Sequence, residues 1–356
     1  MTTIPPDWAL YQTYLAGELV YDTFVSKIHQ QPVNRMSVGL LDINTCIALE
    51  QLANVLAMAY CNPVHLKIDM VRYNESLDKH ESGQNEKREQ TLLDKFPPQE
   101  ELVLTTPSVI IDSRGRIIVW YLPEAMTGMI IPICIVQQIP WITPGCINIS
   151  PAWFQQGREK HGFPNLNPGD GFSPEVSASL KGDVGSNITT SLQRSSILVS
   201  AALRVMHPDL YQAGIKTQVR LGKWATWYQL HDMCHHLKCW TSVLNVVSVI
   251  CNRWSPPHRD PKCRPEAFDI MTTAGIYRPV IMDFMNLGVK FLYDSGLMLA
   301  SSCHLVRHHM HVEEGSWIVT AWYMRDSIHN FVGTPRTDYA KNGNVKCSDP
   351  VAKNVV

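Results

Sequence analysis

From Trp240 to Arg325 the chain is a series of apolar, β-rich runs separated by turns, and two of those turns carry clustered metal-binding side chains. The run 240–250 leads into Pro256-Pro257-His258-Arg259-Asp260, and the run 288–293 leads into Asp294-Ser295-Gly296. The run 316–325 follows Cys303-His304-Leu305-Val306-Arg307-His308-His309-Met310-His311. Strand, metal turn, strands, histidine, strand is the order of a double-stranded β-helix, a jelly-roll barrel with a metal in its mouth. A His-x-Asp pair with a distant second histidine is also the trace of a two-histidine, one-carboxylate iron site, which leaves three metal positions open.

His258 and Asp260 can chelate together because residues i and i+2 of an extended segment project to the same side. Pro256, Pro257 and Pro261 restrict the backbone around them. His304, His308, His309 and His311 compete for the distal position, and spacing does not choose among them. His308 and His309 are adjacent and face opposite ways on a strand, so at most one of that pair reaches the metal. A rival cluster, His231-Asp232-Met233-Cys234-His235-His236-Leu237-Lys238-Cys239, has zinc-type donors but no second paired half, and reads as a helix with His231, Cys234 and His235 on one face. No phosphate-cradling loop, dinucleotide fingerprint or nucleophile elbow is present.

A chain of 356 residues with 45% hydrophobic content can bury one large core plus a smaller accessory layer. The expected class is α+β: a helical and mixed accessory region over 1–101, a barrel domain over 102–332 with a long loop at 151–191, and a fraying polar tail over 333–356. A helix is predicted over 44–60 behind an Asn/Thr cap, and another over 195–206 ending at His207-Pro208. The charged stretch 73–101 reads as a solvated insertion or exposed helix. Ser108–Ile111 and Arg116–Leu122, joined by Asp112-Ser113-Arg114-Gly115, read as a hairpin. The loop rich in Pro, Gly, Ser and Asn suits an element that covers a substrate. A formal charge of −1 excludes no class of partner, because nucleic-acid binding needs only a local basic face. Ten cysteines scattered through apolar runs read as reduced thiols. With neither a signal segment nor a run of about 20 apolar residues, the expectation is a soluble intracellular protein.

Four segments resemble the TET/JBP family, most closely its mushroom branch: Cys251 to Lys262, Leu287 to Gly296, Val306 to Met310, and Ala321 to His329. The resemblance spans roughly 102–331, with specific motifs in the last hundred residues. It implies an iron(II)- and 2-oxoglutarate-dependent dioxygenase that oxidises a methyl group on a base of methylated DNA, 5-methylcytosine in most of the family, and a nuclear location. An N6-methyladenine demethylase would use the same metal site. The family's Arg-His-Gly-Val falls on Arg307-His308-His309-Met310, which selects His308 as the distal ligand beside His258 and Asp260. The arginine that contacts 2-oxoglutarate in relatives matches Arg253, five residues before His258. One position departs. Relatives clamp the far carboxylate of 2-oxoglutarate with an arginine where this chain has Trp317. Arg325 lies on the same strand face eight residues on, a span of roughly 26 Å, which turns attention to the near carboxylate or the base as its contact. A DNA-binding pseudoenzyme that has lost the clamp is the third reading. Arg259, Lys262, Arg264, Arg278 and Arg307, clustered around the metal motifs, are candidates for phosphate contacts.

Overall fold

The computed structural model describes residues 3–32, 41–78, 81–99, 101–127, 143–155, 173–182, 184–310 and 315–343. The amino-terminal part contributes helices α1 (Ala9–His29) and α2 (Ile43–Tyr60), strand β1 (Pro63–His65), and the short helices α3 (Met70–Asn74) and α4 (Glu86–Lys95). Strands β2 (Leu102–Leu104), β3 (Ser108–Ile111), β4 (Ile117–Leu122) and β5 (Gly145–Ile149) follow, then helices α5 (Gly185–Met206), α6 (Pro208–Trp227) and α7 (His231–Cys239). The carboxy-terminal half is β6 (Val246–Cys251), β7 (Ser255–His258), β8 (Asp269–Tyr277), β9 (Val280–Phe284), β10 (Val289–Tyr293), β11 (Met298–Ser301), β12 (His308–Met310), β13 (Gly315–Tyr323) and helix α8 (Asp326–Phe331).

The strands form two sheets, ordered β1-β3-β4-β11-β8-β13-β6-β5 and β2-β10-β9-β12-β7. Strands β6 to β13 alternate between the sheets in the interleaved order of a double-stranded β-helix: β11-β8-β13-β6 in the larger, β10-β9-β12-β7 in the smaller. The expected α+β jelly roll is therefore the observed architecture. Period-two alternation sorts the larger sheet into two faces. Trp120, Leu122, Ile270 and Trp322 join a core with Phe24 of α1, Leu52 of α2 and Leu198 of α5. Tyr121, Met271, Trp317 and Val319 point the other way, into a second core with Phe284, Phe291 and Met310 of the smaller sheet.

Local chemistry explains the elements that frame this barrel. Asp42 caps α2 by accepting from Thr45 N (2.9 Å), and Pro208 opens α6, where the missing N–H costs nothing. The hairpin predicted at 112–115 turns through Gly115 at φ 77°, with Asp112 Oδ1 accepting from the backbone of Arg114 and Arg116, both at 2.8 Å. Helix α5 begins ten residues before the predicted start at Ser195. Its first turns are Ser, Asn and Thr, so they carry no apolar period. Their hydroxyls back-bond to the preceding turn, Thr189 to Gly185 O (3.1 Å), Thr190 to Ser186 O (2.9 Å) and Ser191 to Asn187 O (2.8 Å). The strand expected from Trp240 starts only at Val246, after a buried turn over 240–245.

The region over 1–101 contributes to the barrel itself. Strand β1 extends the larger sheet through β3, and α1 and α2 share its core. The charged stretch 73–101 carries a mostly exposed helix, α4, as its composition suggests, but Glu89 on that helix is 2% exposed. Of the loop expected at 151–191, residues 156–172 lie outside the described residues. The tail packs as far as it is described, with Ile117 N donating to Ala340 O (2.8 Å). No helix among the described residues is long and apolar enough to cross a membrane.

Candidate metal centre and cosubstrate pocket

Strands β7 and β12 run antiparallel with His308 directly opposite His258. Register alone makes neighbours of two residues fifty positions apart, and the ring centroids are 4.4 Å from each other. Asp260, two residues past His258, completes a group in which one donor atom from each of the three side chains lies within 4.8 Å of the others. His258 Nδ1 donates to Pro256 O (2.8 Å), and His308 Nδ1 donates to Val306 O (3.0 Å). A carbonyl can only accept, so in both rings Nδ1 holds the proton and Nε2 presents its lone pair. This is the orientation metal-binding imidazoles need. Burial, then the neighbouring His258, pushes His308 down to about 4, so its ring is neutral near pH 7.

Two imidazoles and one carboxylate brought together in this way fit an octahedral ferrous ion with open positions. The triad opens on a cavity of ≈ 490 Å³ lined also by Arg253, Lys262, Met271, Met282, Met310, Trp317, Val319, Tyr323 and Arg325. A larger cleft of ≈ 1030 Å³ contains no triad residue.

Arg253 and Arg325 both line this cavity. The odd residues of β13 from Trp317 to Tyr323, and then Arg325, all line it, so it runs along the strand. Arg325 stands at the Asp269 end, where its charge acts on the Asp269 carboxyl, with its guanidinium 5.5 Å above the Tyr323 ring. Arg253 interacts with Cys146, which lies opposite Ile250 on β6. Asn252, the residue before Arg253, is paired to Trp317 twice, Asn252 N to Trp317 O (3.1 Å) and Trp317 N to Asn252 Oδ1 (2.8 Å). Two arginines in one cavity can receive a dicarboxylate.

The remaining histidines of the run do other work. His309 reaches Asp283 on β9 at 4.0 Å. His304 is held below the usual imidazole range by burial, and its Nδ1 has no hydrogen-bond partner. His311 lies outside the described residues. The stretch 231–239 is helix α7, as its spacing predicts, and enters neither metal-capable group among the described residues.

Three of the candidate phosphate contacts are corrected. Arg259 and Arg307 are each 2% exposed. Arg259 is held by Glu89 through Nη1–Oε1 (2.5 Å) and Nη2–Oε2 (2.8 Å), and also bonds Tyr73 Oη. Arg307 Nε donates to Gly83 O (2.8 Å), its Nη2 pairs with Glu86, and its backbone N donates to Asn286 Oδ1 (2.9 Å). Helix α4 thus grips the residue between the two proximal ligands and the residue before the distal one. Arg264 pairs with Asp326 and Asn330. Lys262 and Arg278 are exposed.

Sequence reasoning missed this grip, because nothing in a charged stretch names its partner. It also missed Asp269 and Cys303, which carry no motif and meet Asp260 only through the fold. Burial, then the charge of Asp260, pushes Asp269 up to about 7.

Residues 175–317 match the family model Tet_JBP, the oxygenase domain of the 2OGFeDO superfamily. That span contains the triad and ends before Arg325. No curated protein matches the chain. The solved structure of NgTET1 in complex with 5mC DNA is similar at TM-score 0.42 and 12% identity, covering 70% of this chain and 87% of that one; a likeness at this level carries no argument about function. Residues 175–317 thus match an oxygenase domain of the TET/JBP type, a match that implies iron(II) and 2-oxoglutarate as cofactors.

Proposed function

We propose that the domain oxidises the methyl group of a modified base in DNA, with 5-methylcytosine as the first substrate, and that His258, Asp260 and His308 hold the iron. The observation that carries this reading is the placement of the triad at a cavity whose ≈ 490 Å³ lies within the range of about 300–1,000 Å³ usual for ligand sites. Iron(II) and 2-oxoglutarate, when bound, supply the activation of dioxygen. The chain supplies placement. Arg253 takes the far carboxylate of 2-oxoglutarate in place of the arginine that Trp317 replaces, and Arg325 meets the near carboxylate or the base. Met271, Met282, Met310 and Val319 give the cavity an apolar wall that keeps water from the reacting methyl group.

A base inside a duplex cannot reach a metal in a barrel mouth, so the nucleotide has to flip out. Trp254, 59% exposed and one residue before β7, is our candidate for stacking on an extruded base. Lys262 and Arg278 remain as contacts for the phosphate backbone, and a DNA substrate fits work in the nucleus.

The test is incubation with iron(II), 2-oxoglutarate and oligonucleotides carrying either 5-methylcytosine or N6-methyladenine, with products read by mass spectrometry. Oxidised cytosine supports the proposal. Loss of the methyl from adenine alone moves the substrate to adenine on the same metal site. Saturable DNA binding without turnover of either base, and without 2-oxoglutarate binding, makes the protein a pseudoenzyme and overturns the proposal.

A further inference from the structure

Beside the iron triad lies a second set of donors that the proposed reaction does not use. The carboxyl of Asp269, at the start of β8, and the thiol of Cys303, just past β11, bring donor atoms within 4.8 Å of each other and of Asp260. Both are buried, yet both line the same cavity as the triad, so an ion can reach them. The arrangement is held by backbone pairing. Asp269 sits opposite Ser301 in the β8–β11 ladder, and Asp260 N donates to Cys303 O (2.9 Å). The Asp269 carboxyl meets the thiols of Cys263 and Cys303, but its Oδ2 is buried without a hydrogen-bond partner, an unpaired acceptor that a cation would relieve.

We propose that Asp260, Asp269 and Cys303 form a second metal position that takes a thiophilic divalent cation of the Zn²⁺ type and shares Asp260 with the iron triad. A thiolate with two carboxylates suits Zn²⁺ and Co²⁺, whereas imidazole and carboxylate are the donors of the iron position. On binding, the S–H proton leaves to solvent and a sulfur–metal bond takes its place. One carboxylate serves both positions, so an ion held by Cys303 draws Asp260 away from the triad and opposes iron. Only this last consequence depends on the iron reading.

The test uses metal-free protein titrated with Co²⁺, which reports thiolate ligation through a near-ultraviolet charge-transfer band that imidazole and carboxylate ligands do not give. The band is expected in the wild type and in His308→Ala, where the triad is broken, and Zn²⁺ should displace it. Cys303→Ser should lose the band, and Asp269→Asn should weaken Co²⁺ binding at this position by more than about tenfold. A wild-type protein that binds Co²⁺ without the band overturns the proposal, as does a band that survives Cys303→Ser or vanishes in His308→Ala. The wild-type and His308→Ala spectra decide the matter even if Cys303→Ser fails to fold. A failure of the iron reading shows separately, as iron binding that ignores His258→Ala.

Discussion

Glu89→Ala tests the structural role of helix α4. Glu89 and Arg259 are each 2% exposed, and the carboxylate meets the guanidinium through two parallel hydrogen bonds of 2.5 and 2.8 Å. A second arginine, Arg307, brings Nε within 3.9 Å of the same carboxylate. Removing Glu89 leaves a buried guanidinium with its charge unmatched, a change that costs about 3–5 kcal/mol. In domains of 150–250 residues each kcal/mol is roughly 2–4 °C of melting temperature, so the variant should melt about 6–20 °C lower. Glu86→Gln is the internal control. Glu86 also pairs with Arg307 but is 74% exposed on its side chain, and a pair that wet contributes only about 0–1 kcal/mol. Replacing both partners, as in Glu89→Leu with Arg259→Met, removes the stranded charge and should recover most of the loss. Urea denaturation of the four proteins gives the free energies directly. Equal stability for Glu89→Ala and wild type would refute the reasoning, and so would a double variant no better than Glu89→Ala.

Arg253→Met should weaken 2-oxoglutarate binding by roughly tenfold to a hundredfold, the loss of one charge-assisted contact of about 1.5–3 kcal/mol; unchanged affinity in a direct titration would remove Arg253 from the pocket. Gly275 sits at φ 150°, and a Cβ there would come 2.3 Å from Ser316 O, so Gly275→Ala should force β8 and β13 apart and cost more than about 1 kcal/mol by denaturation. Burial holds His207 down to about 4 and His329 down to about 3. Both are bases with depressed folded values, so the unfolded chain takes up their protons first. Stability should be intact above about pH 6.5 and fall steadily toward pH 4, and a flat unfolding free energy across that window would contradict the assignment.

The parts of this molecule that announce themselves in sequence are those set by local pattern. The alternating runs gave the order of the barrel strands, and His-x-Asp before one strand set with a histidine after another pointed to side chains that the fold brings together. Choosing His308 among four histidines needed a family pattern, because the β7–β12 register that places it opposite His258 is a long-range fact. Arg259 and Arg307 were misread for a physical reason: a charged side chain looks the same in sequence whether it meets phosphate or a buried carboxylate. Their partner Glu89 lies 170 residues before Arg259 in a stretch whose composition signals solvent. Helix α5 hid its first turns behind hydroxyls that satisfy themselves on the backbone. Trp317 stands where the family pattern has an arginine, and its pairing with Asn252 beside Arg253 exists only in three dimensions.

The most direct measurement is anomalous diffraction at the iron edge from crystals grown without oxygen in the presence of iron(II) and 2-oxoglutarate. The expected result is one iron peak bonded to Nε2 of His258, Nε2 of His308 and a carboxylate oxygen of Asp260, with 2-oxoglutarate on the same ion and an arginine at its far end. Iron bound elsewhere, or enclosed by protein donors at every position, would contradict the account.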